Sequence, residues 1–144
     1  MASYQEITGL IRSAITAALA PTGITVLPYP GDTQALPTPC WCVGVPTHTP
    51  SDRTVPETMC RDPWGMTWPI TLYEVQSTDR TSTDLIDDQC GLLIEALRAD
   101  ETLGGLLDQS EVVDIRAALG RQDREPRLHE VTATFFTVID QART

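Results

Sequence analysis

Hydrophobic residues recur at Ile7, Leu10, Ile11, Ala14, Ile15, Ala18 and Leu19, the three- and four-residue spacing of one helix face. Ser3 and Glu6 have the spacing of a capping box, and Pro21 and Gly23 end the pattern. Short strands are expected at Ile24–Leu27 and Trp41–Val45, separated by a loop that Pro28, Pro30, Gly31, Pro37 and Pro39 impose. Further on, Trp68, Ile70 and Leu72 alternate with Pro69, Thr71 and Tyr73, the two-residue period of a strand buried on one face. Pro69 cannot donate a ladder bond, so this strand is expected to start there or to lie at a sheet edge on that side. The polar run Ser77–Thr83 suits a turn. A helix follows, with Thr81 as N-cap and Asp84 three residues on. Its apolar face is Ile86, Cys90, Leu93, Ile94 and Leu97, and it ends near Arg98. Asp84, Asp87 and Asp88 crowd its first turns, where the helix dipole favours negative charge.

A helical turn or two is expected at Glu101–Leu107, around Gly104 and Gly105. Val113, Ile115, Ala117 and Leu119 alternate with Asp114, Arg116 and Ala118 and read as a strand. Gly120–Pro126 is a charged turn. Leu128–Ile139 is a longer strand with Val131, Ala133, Phe135, Thr137 and Ile139 on one face, so the two form an antiparallel hairpin. The whole is α+β: a mainly antiparallel sheet of about four to five strands, with two principal helices on one face. At 144 residues it is read as one domain, 1–144. The segment Thr47–Gly65 has no usable periodicity and is read as an extended loop. Loops beyond about 12–15 residues in compact domains tend to be functional. Met59, Trp64 and Met66 favour an ordered arm, because apolar side chains there need cover.

Charge changes the picture. The formal net charge is −10, and all ten cationic residues are arginine, which argues against gripping a nucleic-acid backbone. No apolar run approaches the ~20 residues of a membrane span. The first helix has too little basic residue on its polar side for a membrane-surface helix. The N-terminus lacks the basic start and apolar core of a signal peptide, so a cytosolic chain is expected.

Candidate chemistry is sparse. Cys40 and Cys42 are separated by one residue and Cys60 and Cys90 are isolated, a poor match to zinc-ligand spacing, so reduced thiols are expected. His48 and His129 belong to no local motif. A Cys42–His48 pair meeting in space would be the route to a small enzyme, but nucleophile, base and orienter are not jointly visible. From Asp79 to Asp114 there are ten acids against Arg80 and Arg98, a solvated and dipole-favoured face by spacing. No phosphate cradle, Ca²⁺ loop or cofactor motif is present, and no metal or cofactor is expected.

The order of elements and several local runs resemble the tail-terminator family of long-tailed bacteriophages. The likeness lies in the N-terminal helix with its alanine-rich end and the Pro-rich approach to Trp41–Val45. It continues in the long middle loop, the strand Trp68–Val75 and the acidic helix Thr83–Arg98. It ends in the closing hairpin with its turn Gly120–Pro126. The resemblance implies a structural virion protein of the tail or neck, assembled in the host cytoplasm as a homohexameric ring. It implies three partners besides itself: the tail tube protein, a head-side connector or stopper, and DNA that passes through without specific binding. Another neck connector or minor tail component is the alternative. Ring closure needs two different patches on each subunit. Arg53 and Arg61 in the loop and Arg121, Arg124 and Arg127 in the hairpin turn are expected to meet a neighbour's acidic surface at Asp84, Asp87 and Asp88. Met59 and Trp64 would supply apolar contact. Exposed ion pairs add about 0–1 kcal/mol each, enough to set register while apolar contacts supply affinity.

Overall fold

A computed structural model of the chain describes residues 3–29, 37–50, 63–75, 81–118 and 128–140. Helix α1 is Tyr4–Leu19, followed by a 3-10 turn at Ala20–Thr22. Strands β1 (Thr25–Leu27), β2 (Cys40–Val43), β3 (Thr47–Pro50) and β4 (Pro63–Val75) come next. Helix α2 (Thr81–Ala99) precedes β5 (Gln109–Ala118) and β6 (Leu128–Asp140). The strands form one six-stranded sheet in the order β1-β2-β4-β6-β5, with β3 beside β2 on the same side of β4. Among the described strands, β1–β2 is the one parallel pair. The fold is α+β, as the periodicities predicted.

The sheet has six strands where four to five were expected, because both ends of the anticipated loop are strand. Thr47 pairs with Thr67 and Pro50 with Trp64, and β4 begins at Pro63. Residues 51–62, with Arg53, Met59 and Arg61, lie outside the described residues.

The Ser3 hydroxyl accepts from the Glu6 N–H at 3.2 Å, which starts α1 as its spacing foretold. The side chain of Thr81, the expected cap of α2, lies outside the described residues. Ile7, Ile11, Ile15 and Leu19 of α1 and Leu93 and Leu97 of α2 are buried against Trp41, Val43, Trp68, Ile70, Leu72, Val131, Ala133 and Phe135. These strand residues alternate in sequence, so both helices cover one face of the sheet. Leu10, expected in the core stripe, is exposed. The buried stripe of α1 is one residue wide at its centre, and Leu10 falls beyond it.

Two bulges, invisible to a simple two-residue period, shift the sheet. Between Val43↔Ile70 and Thr47↔Thr67, three residues of one strand pass two of β4. Between Val112↔Phe135 and Asp114↔Thr134, β5 likewise gains a residue on β6. Each bulge turns a valine to solvent: Val45 is 68% exposed and Val113 56%. Val113, grouped with Ile115 and Ala117 by the alternation, is exposed; Val112 and Ile115 pack toward the core, opposite Phe135 and Ala133. An extra residue reverses the in–out alternation beyond it.

The segment after α2 is a turn and not the helical extension expected. Leu103, Gly104 and Gly105 have φ of 46°, 75° and 88°, the left-handed region that a right-handed helix cannot use. The Asp100 carboxylate holds it, accepting from the N–H groups of Thr102 at 3.2 Å and Gly104 at 2.7 Å and from the Thr102 hydroxyl at 2.9 Å.

Candidate interaction surfaces

On α2, Asp84, Asp87, Asp88 and Glu95 are all exposed, and so is Gly91 between them. At 100° per residue these positions form one solvent-facing stripe, opposite the buried Gln89, Leu93 and Leu97. This is the acidic surface read from the sequence. Its expected basic counterparts, Arg53, Arg61, Arg121, Arg124 and Arg127, with Met59, lie outside the described residues. Trp64 is placed in β4 opposite Ile139, and its side chain lies outside them as well.

The register separates the two residues of the Cys42–His48 pair. Cys42 pairs with Thr71 of β4 and His48 with Met66. Odd and even residues of a strand point to opposite faces, so Cys42 lies on the face away from the helices and His48 on the helix face. There His48 makes an edge contact with the ring of Tyr4, centroids 5.9 Å apart. His129 is the register partner of Glu74. Cys40 and Cys42 are buried and Cys90 is half-buried. The hydrogen bond with Cys42, then burial, pushes the Cys40 thiol far above its ordinary range, which keeps it protonated and a poor nucleophile. Among the described residues no group of three or more His, Cys, Asp or Glu could hold a metal ion.

Two buried polar centres pin the core, one joining α2 to the sheet and one joining β4 to β6. The Trp41 indole N–H donates to Gln89 Oε1 at 3.3 Å, and Gln89 Nε2 donates to the carbonyl of Thr22 at 3.1 Å. Gln89 thus ties α2, β2 and the turn after α1 together from the interior. The Trp68 indole N–H donates to Thr137 Oγ1 at 3.1 Å. Periodicity could not single out Gln89, since it marks only apolar positions.

Arg12 is the other residue that the pattern missed. One terminal nitrogen donates to the carbonyls of Pro28 at 2.7 Å and Val43 at 2.8 Å. Its guanidinium lies over the rings of Tyr29 and Trp68, 5.0 and 5.2 Å from their centroids. It therefore braces α1 against the chain after β1 and the end of β2. Stacking on aromatic faces and donation to carbonyls suit guanidinium better than ammonium. Burial lowers the Arg12 pKa, opposed by the neighbouring Tyr29.

Away from the helices the sheet face carries Thr67, Thr71, Thr132, Thr134 and Phe136, all half-buried. The hydroxyls of Thr71 and Thr132 meet across β4 and β6 at 3.1 Å. Between the helices, Ala18, Pro21, Leu92 and Ala96 line a shallow groove of about 300 Å³.

No family model and no curated protein matches the chain. Among solved structures, the chain is similar to one from the virion of a native gene transfer agent particle. The TM-score is 0.56 at 13% identity, covering 96% of this chain and 99% of that one. At that identity the likeness establishes a common fold, shared from end to end of both chains.

Proposed function

We propose that this chain is a structural protein of a tailed, phage-like virion, and within it the tail terminator. In that role a ring of copies, six in the family it resembles, caps the tail tube on one side and meets the head-side connector on the other. The observation that carries this reading is the fold shared over nearly the whole of both chains with a component of a gene transfer agent virion. The surface supports it. An acidic stripe on α2 and a separate cation-bearing surface on α1 are the unlike patches that a closed ring of identical subunits requires. A net charge of −10 suits a ring through which a duplex slides, because phosphates find little to grip. The opposite facing of Cys42 and His48 favours a role in contacts over the small-enzyme alternative.

Electron microscopy of particles made without this chain tests the reading. Tubes of irregular length and heads left without tails are expected; normal tails joined to heads would overturn it. The same likeness fits another neck or minor tail component, and the position of the chain's density in whole particles separates the two. The purified chain is expected to show no appreciable DNA affinity even at low salt. Tight, salt-sensitive binding would contradict the conduit.

A further inference from the structure

We propose that the surface centred on Arg12 is one half of the contact between copies, and that the acidic outer stripe of α2 from a second copy docks on it. This rests on the ring reading above and assigns its faces.

Arg12 is a cation held in place by neutral groups. Its acceptors are the backbone carbonyls of Pro28 and Val43, and its neighbours are the rings of Tyr29 and Trp68. Among the described residues no carboxylate pairs with it, and its remaining N–H groups have no acceptor there; the ion pair found among these residues is Arg116–Asp114. A guanidinium offers five donors in a fixed fork, so positions suited to a carboxylate remain open. Its rim is apolar and open to solvent. Tyr29 is 65% exposed, and Val45 stands at the bulge two residues beyond the carbonyl that Arg12 holds. Tyr4, two turns earlier on α1, is exposed too. Exposed tyrosine and arginine are the residues enriched at interface centres.

The chain itself supplies the complementary surface. Asp84, Asp87, Asp88 and Glu95 stand out from α2 around Gly91. A Cβ added at Gly91 meets nothing within 4 Å, so packing inside the subunit does not call for glycine. Mid-helix glycine weakens a helix. Here it leaves a gap in the acidic stripe through which another element can approach the α2 backbone. Charge complementarity selects a second copy: a chain of net −10 presents carboxylates, and none of the described residues supplies one to Arg12. The two patches lie on different helices, so the contact is head-to-tail and repeats around a ring.

Light scattering of the full chain, with circular dichroism and a thermal melt to verify folding, tests this. Val45→Asp places a negative charge at the rim, and Gly91→Leu fills the gap in the stripe. Both positions are exposed, so both variants are expected to fold and to self-associate at least tenfold more weakly than the parent. Adding Asp87→Lys and Asp88→Lys to Val45→Asp is expected to restore part of the association. If the parent assembles and both single variants assemble equally well, the docking surface is wrong while the ring reading stands. If Val45→Asp abolishes assembly and the lysines restore nothing, the assignment of α2 as the occupant fails. A parent that stays monomeric at every concentration, also with tail tube protein present, overturns the ring reading and this contact with it.

Discussion

Gly44 donates its backbone N–H to the carbonyl of Pro69 at 2.7 Å, and a Cβ on Gly44 would sit 2.7 Å from Pro69 Cγ and 3.0 Å from that carbonyl oxygen. The pair explains how a proline survives in the longest strand pairing of the sheet. In an antiparallel strand the N and C=O of one residue face the same neighbour. The missing N–H of Pro69 therefore faces the bulge at residues 44–46, where the ladder between β4 and its neighbours is interrupted. On the other side Pro69 stays in register with Thr134 of β6. The expectation that Pro69 begins a strand or lies at an edge is thus corrected: it is interior, beside a gap that asks nothing of it. Gly44→Ala is expected to cost about 1–3 kcal/mol through overpacking, read as a lower urea midpoint. Pairing it with Pro69→Ala should recover part of the loss, and an unchanged midpoint in the single variant would refute the close approach.

The bulge in β5 makes neighbouring positions respond in opposite ways. Val113 points to solvent and Ile115 packs against the core. Val113→Ala should change stability by no more than about 0.5 kcal/mol, whereas Ile115→Ala should cost about 1–3 kcal/mol. Equal losses at both positions in chemical denaturation would mean that the extra residue is misplaced.

Gln89 satisfies two buried groups at once, the Trp41 N–H and the Thr22 carbonyl. Gln89→Leu keeps the volume but leaves both without partners, for a loss of about 1–3 kcal/mol from each. Trp41→Phe in the same background removes one of the two orphans and should lessen the penalty. A double-mutant cycle showing no coupling would break the proposed link.

Hydrogen bonds from the Gly104 N–H, then from Thr102, hold the Asp100 carboxylate below its ordinary pKa. A carboxylate whose folded pKa is depressed stabilises the fold above its unfolded pKa and loses that contribution as pH falls through the folded value. Asp100→Asn should therefore lower the melting temperature at neutral pH. The gap from the parent should close on acidification below about pH 4. A gap that stays constant into acid would show that the carboxylate charge is not what holds the turn.

Gly91→Ala should stabilise the isolated subunit by about 0.5–1 kcal/mol, since alanine is the better helix former and open space surrounds the site. A loss of stability in monomeric conditions would mean that the glycine serves the subunit's own fold.

The sequence on its own determined the kinds of element and most of the buried faces. The stripe Ile7–Ile11–Ile15–Leu19, the alternation from Trp68 to Leu72 and that from Val131 to Ile139 are local signals, because periods of 3.6 and 2 follow from backbone geometry alone. It also marked the acidic face of α2 at Asp84, Asp87 and Asp88. Tertiary structure alone decided where the periods break. Val45 and Val113 turn outward because each ladder holds one residue more on one strand than on its partner, which is a property of two strands and not of either. Arg12 and Gln89 were likewise silent. Their roles depend on carbonyls and rings between 16 and 67 residues away in the chain, and no local spacing records where a polar side chain will find its partner.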